Sequence, residues 1–113
     1  VLVAGDEVAI PLSAYGPSQA AARDLLGPLG VTACFYDPQA DLRSVLTERT
    51  RLVWVETPGS FGMDMADLPQ AVDVAHAAGA LVACDGTWAS PLGFRALAHG
   101  ADFACEALTK YVG

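Results

Sequence analysis

The chain has 113 residues, 53% apolar and 17% charged, which fits one domain of mixed type near the lower end of the usual size. A formal net charge of -7 excludes a nucleic-acid partner, since no basic stripe is available for phosphates. No apolar run reaches the roughly 18 residues of a membrane span and no signal peptide is visible, so no membrane partner is expected.

Cys34, Cys84 and Cys105 are an odd, widely spaced set inside apolar segments. They read as thiols of a reducing, cytoplasmic compartment, not as a disulfide frame or a metal site. Val1 is not an initiator methionine and the chain stops three residues after Lys110, so both ends read as those of a fragment or processed chain.

Glu7 to Ile10 is a short apolar run closed by Pro11. Gln19 to Leu29 places Ala22, Leu25, Leu26 and Leu29 on one helical face, with Ser18 as N-cap. Gly27-Pro28 should distort its last turn, because proline lacks an amide donor. Val31 to Tyr36 is β-branched and aromatic and predicts a strand. Asp41 predicts a short helix through Arg49 with Leu42, Val45 and Leu46 inward. Leu52 to Val55 is a continuous apolar run, as in strands buried on both faces, and Glu56-Thr57-Pro58-Gly59-Ser60 breaks it with turn chemistry. Asp67, Pro69 and Gln70 mark a helix start. That helix turns Leu68, Ala71, Val72, Ala75 and Ala78 inward and ends at Gly79. Ala80 to Cys84 is a buried strand stopping at Asp85-Gly86-Thr87. A helix over Leu92 to His99 ends at Gly100, and Ala101 to Cys105 is the last strand before Lys110.

Strands alternating with helices predict an α/β fold, a mostly parallel sheet with flanking helices. Ligands of such sheets bind beyond the carboxyl ends of the strands. Glu56 to Ser60, Asp85 to Trp88 and Ala107 to Lys110 therefore gather on one rim.

A lysine beyond an apolar stretch is ordinarily the point where chain meets water. Its chemical use is to condense with an aldehyde cofactor as a Schiff base, while the Thr109 hydroxyl reaches a phosphate. Asp85 is either a turn-former bonding the Gly86 and Thr87 amides or an anion holding the protonated nitrogen of a pyridine cofactor. On the second reading Lys110 is also the base that removes an α-proton. Tyr15 either packs or stacks on such a ring and exchanges a proton with the leaving group. Trp88 walls a pocket or packs, and Trp54 reads as core. His76 and His99 read as ordinary helix residues without metal-like spacing.

Four segments, Ser13-Ala14-Tyr15-Gly16-Pro17-Ser18-Gln19, Glu56-Thr57-Pro58-Gly59-Ser60, Asp85-Gly86-Thr87-Trp88-Ala89-Ser90-Pro91 and Ala107-Leu108-Thr109-Lys110-Tyr111, resemble a known family in order and spacing. It is the transsulfuration group of pyridoxal-phosphate enzymes of cysteine and methionine metabolism. Trp88 and the Pro58-Gly59-Ser60 turn resemble its cystathionine β-lyase branch. The resemblance implies that residues 1–113 are a segment of a large, cofactor-binding domain of the aspartate-aminotransferase type (fold type I), about a third of a family subunit, lacking the phosphate loop and C-terminal domain.

The cofactor implied is pyridoxal 5'-phosphate, with Lys110 as covalent anchor, Asp85 as partner of the ring nitrogen, Tyr15 stacked on the ring and Thr109 at the phosphate. Ser60 and Trp88 fall on the substrate side. The reaction implied is α,β-elimination of cystathionine to homocysteine, pyruvate and ammonia in a homotetramer built as a dimer of dimers. A γ-lyase, γ-synthase or methionine γ-lyase-type enzyme, or a degenerate non-catalytic relative, is the alternative. Gly86 stands where the family usually has asparagine, Ala107 where many members have serine, and Glu106 adds a negative charge near the phosphate position. The isolated segment is expected to turn over little substrate and to be poorly soluble, because an incomplete sheet leaves open edges.

Overall fold

Short apolar runs rich in β-branched and aromatic residues form β1 (Glu7–Pro11), β2 (Thr32–Tyr36), β3 (Thr50–Glu56), β4 (Leu81–Asp85) and β5 (Phe103–Cys105). The computed structural model, which describes residues 1–111, joins them in one sheet of order β2-β1-β3-β4-β5. Every neighbouring pair is parallel, as the alternation predicted. Parallel neighbours need crossovers. These contain α1 (Gly16–Ala21), α2 (Leu68–Ala77), α3 (Ser90–Gly93) and single 3-10 turns at Leu42–Ser44 and Ala96–His99; α4 (Leu108–Tyr111) follows the last strand. No helix among the described residues is long and apolar enough to cross a membrane.

Side-chain alternation along the strands divides the core into two layers. Ala9, Val53, Val55, Val82 and Cys84 meet Leu68, Val72 and Ala75 of α2 on one face, with Leu42, Val45 and Leu46 at its edge. Val8 and Ile10 meet Ala22, Leu26, Leu52 and Trp54 on the other. That second layer is thin: Leu25 and Leu29 are each 67% exposed while Ala22 is buried, so the residues predicted to share one helical face do not share one environment.

α2 starts as expected, with the Asp67 carboxylate accepting from the Gln70 amide at 3.0 Å and Pro69 in the first turn. It closes before Gly79, at φ +77°, a conformation that favours glycine. Val74, not Ala78, completes its buried set, because Ala78 already lies in the C-cap. α1 begins at Gly16, with Tyr15 rather than Ser18 at the N-cap and no side-chain cap. Pro17, which has no amide to satisfy, fits the first turn. Beyond Ala21 the chain widens into a π-helical turn, Ala22–Leu26, then tightens into a 3-10 turn, Gly27–Leu29, around Pro28. Asp41 caps through the Arg43 amide at 3.0 Å, but only one turn follows. Leu92 to His99 is not one helix either, since extended Phe94 separates α3 from the next turn.

Candidate active site

Because β1 lies between β2 and β3, the chain leaves it in opposite directions, and the carboxyl ends of β1 and β3 flank a topological switch point. Open α/β sheets bind ligands in that crevice. Tyr15 stands just beyond β1, its side chain exposed. Its loop is tied from three sides. The Tyr15 amide donates to Glu56 Oε2 at 2.8 Å. Gln19 Nε2 donates to Ala14 O at 2.8 Å and to Leu12 O at 3.1 Å. The Ser60 amide donates to Ser13 O at 3.1 Å. A Cβ at Gly59 would sit 3.1 Å from Ser13 Oγ, so any larger residue there would press the Ser13 side chain aside.

Asp85 ends β4 in register with Glu56 of β3 and Cys105 of β5. Its Oδ1 accepts from the Thr87 amide at 2.9 Å, one of the two amides the turn-forming reading predicts, the Gly86 amide being engaged elsewhere, and Oδ2 has no partner among the described residues. Thr87 then reaches across: its hydroxyl accepts from the Ala107 amide at 2.8 Å. The Gly86 amide donates to Cys105 O at 3.1 Å, completing the stitch between the Asp85 turn and the segment entering α4. Lys110, on α4, carries its Nζ 5.4 Å from the centroid of the Trp88 ring, a cation–π distance. It is the one lysine of the chain. Asp85, Trp88, Thr109 and Lys110 thus occupy adjacent turns of one rim. Ser60 enters the loop network through its backbone amide.

The rim is acidic. Glu56, Asp85 and Glu106 bring three carboxylates to it against the single ammonium of Lys110. Burial, then the neighbouring Asp85, raises the Glu106 carboxyl above its ordinary value. Glu106 Oε1 lies 3.2 Å from where a Cβ of residue 86 would be, so the glycine leaves room that this carboxylate fills. Beneath the rim, burial first and Asp85 second push the Cys84 thiol up to about 12. The same two causes raise Cys105.

Two residues escaped the sequence reading. The sequence places Glu56 on the rim as the first residue of a turn but assigns its side chain no role, yet the residue is 5% exposed. Thr87 reads as a turn residue, yet its hydroxyl links two rim segments. An acid closing an apolar run was the available signal for the first, and nothing local signals the second.

An open parallel sheet carrying an amine, a carboxylate and an exposed aromatic along its carboxyl rim has the layout of a small-molecule-binding α/β domain. The model of one family, "Cys/Met metabolism PLP-dependent enzyme", matches residues 1–113, and the chain belongs to that family. Pyridoxal phosphate is the family's cofactor. A putative cystathionine beta-lyase of Rhizobium johnstonii is 40% identical over 97% of this chain and 28% of its own length. A putative cystathionine gamma-lyase of Streptomyces coelicolor is 38% identical over 96% of this chain and 28% of its own. The crystal structure of a putative O-acetylhomoserine (thiol)-lyase of Campylobacter jejuni, containing N'-pyridoxyl-lysine-5'-monophosphate, superposes with a TM-score of 0.92 at 26% identity. It covers 99% of this chain and 28% of that one. The chain therefore spans under a third of the length of these relatives.

Proposed function

We propose that this chain forms the cofactor-anchoring rim of a pyridoxal-phosphate-dependent carbon–sulfur lyase that cleaves cystathionine by α,β-elimination to homocysteine, pyruvate and ammonia. The observation that supports it best is the stitched rim, on which the chain's one lysine and Asp85 stand on turns joined through Thr87.

The residues fit the ring end of the cofactor. Lys110 offers the amine, Asp85 an acceptor oxygen without another partner among the described residues, and Tyr15 an exposed flat face. The phosphate end is less complete, since carboxylates crowd the rim and Thr109 is the hydroxyl next to Lys110. In this proposal the phosphate loop, the C-terminal domain and a neighbouring subunit of a homotetramer complete the site. When bound, pyridoxal phosphate supplies an electron sink for charge developing at the substrate α-carbon.

Asp85 would hold the proton on the ring nitrogen, because an anion beside that site favours the cationic form. Lys110 would anchor the cofactor and, once freed, take the α-proton, its Nζ lying beside the Trp88 ring. Tyr15 would stack on the ring and pass a proton to the departing sulfur. Ser60 and Trp88 line the substrate side.

Cleavage on the γ-side is the second reading, supported by the similarity to the gamma-lyase relative. Incubating the full-length protein with cystathionine and pyridoxal phosphate separates them. Pyruvate as the keto-acid product supports β-elimination, and 2-oxobutyrate replaces it with the γ-reading. No keto acid, with no Lys110-dependent absorbance band on adding the cofactor, overturns both.

A further inference from the structure

We infer that Glu56 is a positioning residue: its buried carboxylate holds the backbone of Tyr15 and thereby fixes where the phenol stands on the rim. The role rests on the reading of Tyr15 proposed above.

A glutamate closing a strand at a sheet edge ordinarily reaches water, but this one does not. Alternation along β3 directs Val53 and Val55 toward α2, so Glu56 turns with Trp54 toward the α1 face. There Oε2 accepts from the Tyr15 amide at 2.8 Å, while Oε1 is buried with no partner among the described residues. A buried carboxylate needs donors to offset its lost hydration. The Tyr15 amide is the one described donor to it, so carboxylate and loop are held by each other.

The bond matters for direction as well as for energy. Tyr15 is the N-cap of α1 and its side chain caps nothing, so the backbone sets the point from which the ring leaves the rim. The Gln19 side chain and the Ser60 amide act on residues 12 to 14. The Ser18 and Gln19 amides donate to Tyr15 O within the first turn of α1, whereas Glu56 is the side chain that binds the Tyr15 amide and ties it to β3. Glu56 is also the register partner of Asp85, and the next amide, that of Thr57, donates to Asp85 O at 3.2 Å. One side chain therefore links Tyr15 to the strand pair that carries Asp85.

The test uses the full-length protein with Glu56→Gln, Glu56→Ala, Tyr15→Ala and the double variant. Glu56→Gln keeps an oxygen facing the amide and should hold kcat within about threefold, whereas Glu56→Ala should lower it roughly tenfold or more. In the Tyr15→Ala background, Glu56→Ala should cost nothing further, because both act through one ring. In cofactor-free protein, hydrogen exchange of the Tyr15 amide should quicken in Glu56→Ala and stay slow in Glu56→Gln. That readout stands even if the lyase reading fails. If Glu56→Ala does not fold, Glu56→Asp, which withdraws the carboxylate by one methylene, serves the same cycle. An equal loss of kcat in both Tyr15 backgrounds, Tyr15 exchange unchanged in Glu56→Ala, or Glu56→Gln as impaired as Glu56→Ala would overturn the assignment.

Discussion

Replacing Leu68 by alanine tests the larger of the two core layers. Leu68 opens α2 and is 1% exposed, packed in one cluster with Val53, Val55, Val72, Ala75 and Val82. The substitution removes three carbons, and at about 0.8 kcal/mol each their transfer alone accounts for roughly 2.4 kcal/mol. The cavity left behind adds to that unless the helix moves in to fill it. α2 is fixed at its start by the Asp67 cap and at its end by Gly79, so little collapse is available. The expected cost is about 3 to 4 kcal/mol. Urea unfolding at fixed protein concentration reads it as a lower midpoint with an unchanged slope. Leu92→Ala, at a side chain 99% exposed, is the control and should stay within about 0.5 kcal/mol of the parent. A Leu68→Ala cost below about 1 kcal/mol would refute the close packing assigned to this layer.

Gly86→Asn puts a Cβ 3.2 Å from Glu106 Oε1. It should displace that carboxylate and lower stability by up to about 1 kcal/mol, with Glu106→Ala in the same background restoring the loss. Asp102 Oδ2 accepts from His76 Nε2 at 2.9 Å and from the Val82 amide at 2.7 Å. The His76 bond first, then the Val82 amide, hold the Asp102 carboxyl below its ordinary value. A carboxyl depressed in the fold contributes stability above its unfolded value of about 4 and loses it as pH falls through the folded one. Asp102→Ala should therefore cost about 1 kcal/mol at pH 7, the charge being partly solvated, and that difference should shrink below about pH 4 in acid unfolding. Cys84, fully buried with its thiol raised, should resist alkylation at pH 8 while the half-buried Cys34 is labelled; mass spectrometry of the peptides reads the order.

The strands were legible because each is a short apolar run ended by proline, glycine or an acid, and the Asp67 cap because its signal lies within four residues. The rim was legible for the same reason: each candidate closes an apolar run, and parallel strands carry such ends to one edge. What escaped was decided by distant partners. Leu25 and Leu29 match the helical period, yet α1 gives way to a π turn and a 3-10 turn, and both side chains stay in solvent. Glu56 looks like a turn-former until the Tyr15 amide, 41 residues earlier, is seen to bind it. Thr87 looks like loop until Ala107, 20 residues later, reaches its hydroxyl. The Leu92 to His99 pattern failed because the sequence did not signal extended Phe94, whose ring stacks on His99 at 4.9 Å between centroids.

The account depends above all on Lys110 being the amine that anchors the cofactor. Full-length protein equilibrated with pyridoxal phosphate, reduced with borohydride and digested gives the answer by peptide mass. The account predicts a phosphopyridoxyl group on the peptide containing Lys110, absent in Lys110→Ala. An unmodified Lys110 beside a labelled amine elsewhere, or no label at all, would contradict it.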